Sequence, residues 1–531
     1  MTRRLPDGFT VTLRPDVTRL GEGRLLIGGS PLTALWLSAA AAALLRVEGE
    51  VTTLTVDSSA SARVAERLLA GNLADPVLGA DLDPGLLTVV IPVRDRSEEL
   101  GRALTALRGA TCLVVDDASL DPAPVRAVAQ QHGAQVVSLS RNIGPGGARN
   151  AGVARVTTPF VAFVDSDVTA SLGDLTRLGA HFDDPSVAVV GPLIRGRSRS
   201  PRPAWFERHD EAASSLTLGT TPANVRPGAN VAYLPSACLV VRTRVLRDPA
   251  VDGFDAPMRV GEDVDLIWRL IELGWRVRYD PAVVVHHDTR GTLRAWAGRK
   301  FVYGTSAAPL AKRHGDFGAP ARLSPALAVA AALVLLRHWS AVPAAVGAVA
   351  WGARGVRGSL KDVPGRDVIA LRISVVGLGW AVRQVAGLLL RHWWPAVAVA
   401  ALCSRAVRRS VVSALVVDAA VTVFDAGRPF APSRFEAPPA PSRFEAPPAP
   451  SRCEVLPTAP AVGHTSNRRG AAVKNLPTTL LARRVDDLAY GAGVWVGSAR
   501  ARTWRALAPR WAWPGQRSRR TTIRGGSDSP K

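Results

Sequence analysis

The chain has 531 residues, 47% of them apolar, and 66 Lys and Arg against 44 Asp and Glu, for a formal net charge of +22. That length holds several domains and a sizeable core, and the basic excess predicts affinity for phosphates or anionic lipid. No aromatic-interleaved basic motif accompanies it, which excludes nucleic acid as a partner, and the scattered Cys112, Cys238, Cys403 and Cys453 exclude a zinc site or a disulfide framework.

The first residues, Met1 to Asp7, lack the apolar core of a signal peptide, so the chemistry is expected on the cytoplasmic side. Residues 1–78 read as a small separate module. Phe9 to Leu13 alternates in polarity and Arg24 to Ile27 follows Gly21-Glu22-Gly23, which predicts a hairpin. Ser38 is placed to cap a helix from Ala39 to Val47, and a second helix runs from Ser61 to Leu69 and ends at Gly71.

Residues 87–318 alternate strands and helices. Leu87 to Val93 is a continuous apolar run, as in a buried parallel strand. Asp95 is expected to cap the next helix, with Glu98 three residues on and Leu100, Ala103, Leu104 and Leu107 along one face. Further strands are expected over Cys112–Val115, Gln135–Leu139 and Phe160–Val164. The fold class is α/β, a doubly wound sheet that binds ligands at the carboxyl ends of its strands.

Residues 319–424 change character. Pro325–Leu336, Ile373–Val382, Trp393–Cys403 and Val411–Val417 are apolar but short of the roughly 20 residues of a simple span. Arg337, Arg383, Arg391, Arg405, Arg408 and Arg409 interrupt them, and Trp339, Trp380, Trp393 and Trp394 flank them. This pattern suits helices lying in a membrane interface or a re-entrant pair. From residue 425 the chain is Pro-rich. The nonapeptide Ala431–Pro439 recurs unchanged over Ala440–Pro448 and in degraded form over Ala449–Pro457. The stretch 425–531, with Arg dense from Arg500 to Arg524, reads as a disordered tail with one short helix near Leu480–Leu488.

Five motifs sit at strand ends or helix starts. Asp165-Ser166-Asp167 ends the apolar run Phe160–Val164. In an extended chain residues i and i+2 share a side, so both carboxylates can meet one hard cation, Mg²⁺ or Mn²⁺. Asp116-Asp117 follows the second strand, where one carboxylate can accept a hydrogen bond from a uracil N–H or a ribose hydroxyl. Arg141 to Gly152 is Gly-rich, and Arg149 can pair with a phosphate. Arg149 stands where a dinucleotide fingerprint needs its third glycine, and no Walker lysine follows. Glu262-Asp263 opens a helix striped by Val264, Ile267, Trp268 and Ile271; a carboxylate there can take a proton from an attacking hydroxyl. His286-His287 ends the strand Val283–Val285, and imidazole suits a third metal ligand.

As an ordered set, these residues resemble the family-two inverting glycosyltransferases of GT-A fold over about Leu87 to Arg290. The resemblance implies that Asp95, Asp116, Asp117, Asn142 and Arg149 bind the donor. Asp165, Asp167 and His286 would hold Mg²⁺ or Mn²⁺ on its diphosphate. Asp263 would be the base, and Glu262 would help to place the acceptor. A small winged-helix-like N-terminal module resembling the PqqD peptide-binding type, followed by this domain and a hydrophobic region, is similar to the mycofactocin-system branch. That branch implies glucose transfer from UDP-glucose to a peptide-derived redox cofactor, giving a β-linked oligoglucoside. It also implies a leader peptide or maturation proteins as partners and the cytoplasmic face of the cell membrane as the location. Two rivals remain: a membrane glycosyltransferase acting on a lipid-linked or envelope polysaccharide, and an inactive peptide-binding scaffold.

Overall fold

A computed structural model describes residues 4–360, 365–427 and 476–512. The nonapeptide repeats and the last Arg-rich residues lie outside these.

Continuous apolar strands need cover on both faces, and the central sheet provides it. Val89, Ile91 and Val93 pack into one core and Val90 into another, and the strand Phe160–Val164 divides the same way. The nine-stranded sheet runs in the order Gln135–Ser138, Thr111–Asp116, Leu87–Val93, Phe160–Val164, Cys238–Arg242, Val187–Arg197, Arg276–Asp288 and Val168–Thr169, with Ala223–Asn224 pairing on Arg276–Asp288. Its first four strands are parallel, and Cys238–Arg242 runs antiparallel to both neighbours. The strand order reverses beside Leu87–Val93, so a crevice opens beyond the carboxyl ends of Leu87–Val93 and Phe160–Val164.

Two local expectations are corrected here. Asp95 does not cap the helix Ser97–Ala106, whose N-cap is Arg96 with no side-chain bond. Asp95 has φ +56° and accepts from the Leu120 N–H at 2.6 Å, which ties two loops together. In the N-terminal module the expected hairpin does not form. Thr10–Leu13 pairs with Val51–Thr55 and Ala74–Pro76, while Leu25–Gly28 pairs with Thr18–Leu20 and Thr33–Trp36. Ser38 does cap a helix, but that helix ends at Ala43 and residues 46–48 become a strand. The second helix spans Ser59–Ala70 with Ser58 as its cap.

The module is fastened to the sheet by buried charge. Asp75 accepts from Arg14 at 2.8 and 2.9 Å and from Arg278 at 2.9 Å, and both guanidinium groups are almost fully buried. Asn72 adds bonds to the Ser30 carbonyl and to both backbone groups of Asn224.

The helices Pro325–Leu336, Ala341–Ser359, Arg366–Gly387, Trp394–Cys403 and Arg405–Gly427 follow. The segment Arg366–His392 is long and apolar enough, at 27 residues, to cross a membrane by length and composition; the shorter apolar helices are not. The expectation of a disordered tail with a short helix fails over 476–501. Leu476–Ala501 is a 26-residue helix packed along Leu293–Thr305. Phe206, Trp296 and Ala482 share one small core there.

Removing Asp75 leaves two buried cations without their carboxylate. Asp75→Ala is expected to destabilise the chain by about 3–5 kcal/mol. A urea or thermal melt indistinguishable from wild type would show that the module is not held in this way.

Candidate active site

The crevice is a cavity of about 790 Å³, lined from the strand ends Pro92–Val93 and Asp165–Asp167, the Gly-rich helix, the acidic helix and several later segments. Gly261 sets the acidic helix. Its φ of +84° turns the chain sharply into Glu262–Glu272, so Glu262 and Asp263 stand at the helix start and in the cavity wall. Asp263 accepts from the Ser236 N–H at 3.1 Å and from the Val264 N–H at 2.8 Å. Burial raises its carboxyl above the ordinary aspartate value, against those two bonds and the Arg149 charge. Glu262 is raised as well, by burial first and then by the neighbouring Asp263.

Arg149 lies beneath both. The Gly-rich helix Gly144–Val153 carries it inward, where its side chain is 3% exposed. It donates to Asp165 at 2.5 Å and to Glu262 at 3.1 Å. Burial opposes its charge, but Asp165, Glu262 and Asp263 outweigh burial and keep it protonated. The expectation that Arg149 pairs with a phosphate is corrected: its guanidinium is committed to carboxylates.

Asp167 is surrounded by cations. Arg96 reaches it at 2.6 Å, Arg290 at 3.2 Å, and His287 Nε2 stands 3.4 Å from Oδ1. Burial alone would raise this carboxyl, but His287, Arg96, Arg290 and Arg299 hold it below the usual value. The histidine assignment is also corrected. Successive side chains alternate across the strand Arg276–Asp288. His287 therefore lines the cavity beside Asp167, while His286 feels the charges of Arg197 and Arg195.

The other expected donor residues divide. Asp117 and Asn142 line the cavity. Asp117 accepts from the Ile143 and Gly144 N–H groups at 2.7 and 2.9 Å, and so anchors the start of the Gly-rich helix. Asn142 is held by Arg259. Asp116 points elsewhere: its carboxylate binds the Ser119 N–H and hydroxyl, and it is 1% exposed. Asp95 is not part of the cavity wall. Both are turn-forming residues here, because the loop needs their carboxylates as hydrogen-bond acceptors.

Asp165, Asp167 and His287 supply two carboxylates and one imidazole, a donor set that Mg²⁺ or Mn²⁺ accepts. They fit in kind. As placed, guanidinium groups hold the carboxylates, and among the described residues no three His, Cys, Asp or Glu side chains gather as a ready metal site.

Sequence reading missed much of the wall. Arg290, Arg299, Tyr303, Arg391, Asp486 and Tyr490 all line the cavity. The signal that could have found the last two is Gly493-x-x-x-Gly497, a spacing that lets helices approach closely.

A doubly wound sheet that reverses order beside a cleft of carboxylates and arginines is the architecture of the GT-A fold. The family model for glycosyl transferase family 2 matches residues 88–248. The chain belongs to the pre-mycofactocin glycosyltransferases of that family. It is 39% identical to the "Pre-mycofactocin glycosyltransferase" of Mycobacterium tuberculosis over 512 residues, 95% of this chain and 98% of the relative. It is 28% identical to the succinoglycan biosynthesis protein ExoO of Rhizobium meliloti over 221 residues, 39% of this chain and 62% of that one. Among solved structures, the mannosyltransferase PcManGT of Pyrobaculum calidifontis, in complex with GDP-Man and Mn²⁺, covers 77% of this chain and 90% of its own. Its identity is 15% and its TM-score 0.37, too remote a likeness to bear on mechanism.

The raised pair gives a pH signature. A base works only when unprotonated, so activity falls as pH drops through its pKa. The acidic limb of kcat/KM is expected above the pH where an ordinary aspartate titrates. Arg149→Met removes a cation that favours the ionised pair, so the limb moves to higher pH. A limb at the ordinary value, or one that shifts downward in Arg149→Met, would contradict this coupling.

Proposed function

We propose that this glycosyltransferase moves glucose from UDP-glucose to a hydroxyl of the mycofactocin precursor, with inversion, and builds a β-linked oligoglucoside. The observation that carries the reading is Asp263: a carboxylate of raised pKa, at a helix start, facing a cavity that also contains Asp165 and Asp167. The name of the Mycobacterium tuberculosis relative supports the acceptor.

The chemistry is a single displacement. Asp263 takes the proton of the acceptor hydroxyl. That oxygen attacks the anomeric carbon from the face opposite the diphosphate, a new C–O bond forms, and the bond to UDP breaks with its electron pair. Asp117 and Asn142, which also line the cavity, would contact the nucleoside end of the donor. Arg96, Arg290 and Arg299 line the same cavity and would face the departing diphosphate, and such preorganised charge is commonly the largest catalytic contribution. Asp165, Asp167 and His287 would hold Mg²⁺ or Mn²⁺, which when bound neutralises diphosphate charge. Glu262 is a positioning residue. Through Arg149 it keeps Asp165 and the acidic helix in register.

The N-terminal module is read as a docking site for a leader peptide or a maturation protein. The C-terminal helices are read as membrane-associated at the cytoplasmic face. Trp339 and Leu402 are 82% and 81% exposed, and Trp351, Trp380 and Val399 are more than half exposed. So much bare apolar surface suits a lipid interface.

Incubation with a panel of nucleotide sugars and the mycofactocin precursor, read by mass spectrometry, is expected to single out UDP-glucose. A chelator should abolish transfer and added Mg²⁺ or Mn²⁺ should restore it. Asp263→Asn should lower turnover by roughly 10²–10⁴; near-native turnover would remove Asp263 as the base. The full chain is expected to float with anionic vesicles, and Trp339→Ser with Trp351→Ser and Trp380→Ser to weaken flotation at an unchanged melting temperature. Failure of the wild-type chain to float would refute the membrane assignment.

A further inference from the structure

Beside Asp263 the wall of the cavity is rich in tyrosine. Three of the chain's four tyrosines, Tyr233, Tyr303 and Tyr490, line it. The charge of Asp263 is felt by both Tyr233 and Tyr303, and Arg391 lines the same cavity. The tyrosines therefore share the cavity wall with the proposed base. Burial raises all three phenols, so they remain protonated hydrogen-bond donors at neutral pH. Among the described residues, the Tyr233 hydroxyl donates to the Ser215 carbonyl at 3.4 Å.

Tyr490 arrives on the last helix, Leu476–Ala501, together with Asp486. That helix is seated without room for adjustment. A Cβ at Gly304 would strike the Tyr490 carbonyl, one at Gly493 the Phe301 carbonyl, and one at Gly497 the Thr305 carbonyl. Charge fixes it as well. Arg391 donates to Asp487 at 2.6 Å and its guanidinium carbon lies 4.0 Å from the Tyr490 ring centre. Lys300, 3.0 Å from Asp210, stands 3.6 Å from Asp486. Asp486 is left with one oxygen, Oδ1, buried and accepting no hydrogen bond, with Arg391 3.6 Å away. That oxygen keeps only the ion pair with Arg391, and a buried carboxylate oxygen without a hydrogen bond is costly unless something supplies a donor.

We propose that this part of the cavity is the acceptor subsite, that the last helix completes it, and that it takes a neutral ring bearing hydroxyl groups. The ring's flat face would lie on Tyr303 or Tyr490, their phenols would donate to its oxygens, and Asp486 Oδ1 would accept from a hydroxyl. The assignment rests on the transferase reading above and adds which residues select the acceptor.

The test is steady-state kinetics of the full chain, with donor and acceptor each varied, for Asp486→Asn, Tyr490→Phe and Tyr303→Phe. Calorimetric UDP affinity and melting temperature accompany them. Each loses one hydrogen-bonding group, so the acceptor KM is expected to rise about five- to tenfold, and most for Asp486→Asn. UDP affinity and the donor KM should hold. Tyr490→Ala, which also loses the ring, should exceed Tyr490→Phe. Two acceptors, the ring alcohol itself and its monoglucoside, show which of them the subsite prefers. An unchanged acceptor KM in all three variants, or donor and acceptor KM rising together, would overturn the subsite. If the wild type transfers no sugar from UDP-glucose at all, it is the transferase reading that fails. The melting temperatures of the conservative variants separate a lost contact from misfolding, and Gly493→Val, which should unseat the helix, is expected to raise the acceptor KM at retained UDP affinity.

Discussion

One buried guanidinium makes the site possible. Arg149 touches Asp165 from the strand end and Glu262 from the acidic helix, and its field reaches Asp263. Three carboxylates in a partly desolvated space repel one another, and burial raises the carboxyls of Glu262 and Asp263. A cation placed among them offsets both costs. Removing one partner of such a buried pair leaves an uncompensated charge, which is why the arrangement stands or falls together. Arg149 itself is delivered by glycine-rich helix geometry, because Asp117 anchors the helix start through two backbone N–H groups. The Gly-rich segment thus works less as a phosphate cradle than as the mount of an internal counterion.

A second charge centre lies across the same cavity. Asp167 is met by Arg96 from the loop after the first strand of the central sheet and by Arg290 and His287 from the far end of the sheet. These groups cluster around one buried carboxylate. The two centres differ in sign of effect. Burial wins at Asp263 and raises its carboxyl, while the surrounding cations win at Asp167 and lower its own. Neighbouring carboxylates of one cavity are thereby set apart, one suited to take a proton and the other to stay ionised.

The cavity also draws on both flanks of the sequence. The N-terminal module grips Arg278, on the strand that carries His287, through Asp75. The last helix crosses Leu293–Thr305 through glycines and brings Asp486 and Tyr490 to the wall. Neither flank is an appendage to the central sheet. Both are held by buried ion pairs, and the last helix also by backbone approach too close for a side chain.

By itself the sequence determined the continuous strands Leu87–Val93 and Phe160–Val164, their parallel, doubly wound arrangement, and the motifs whose Asp117, Asp165, Asp167, Glu262 and Asp263 line the cavity. Strand period, helix caps and apolar runs are local, so they survive reading one segment at a time. Only the tertiary structure decided the partners. It committed Arg149 to Asp165 and Glu262, turned His287 rather than His286 toward Asp167, and kept Asp116 and Asp95 for loop turns. It also folded Leu476–Ala501 against the cavity, where composition alone suggested a loose tail. The reason is the same in each case. Which face of a strand is buried, and which cation a carboxylate meets, depend on segments far away in the chain, and no local pattern records them.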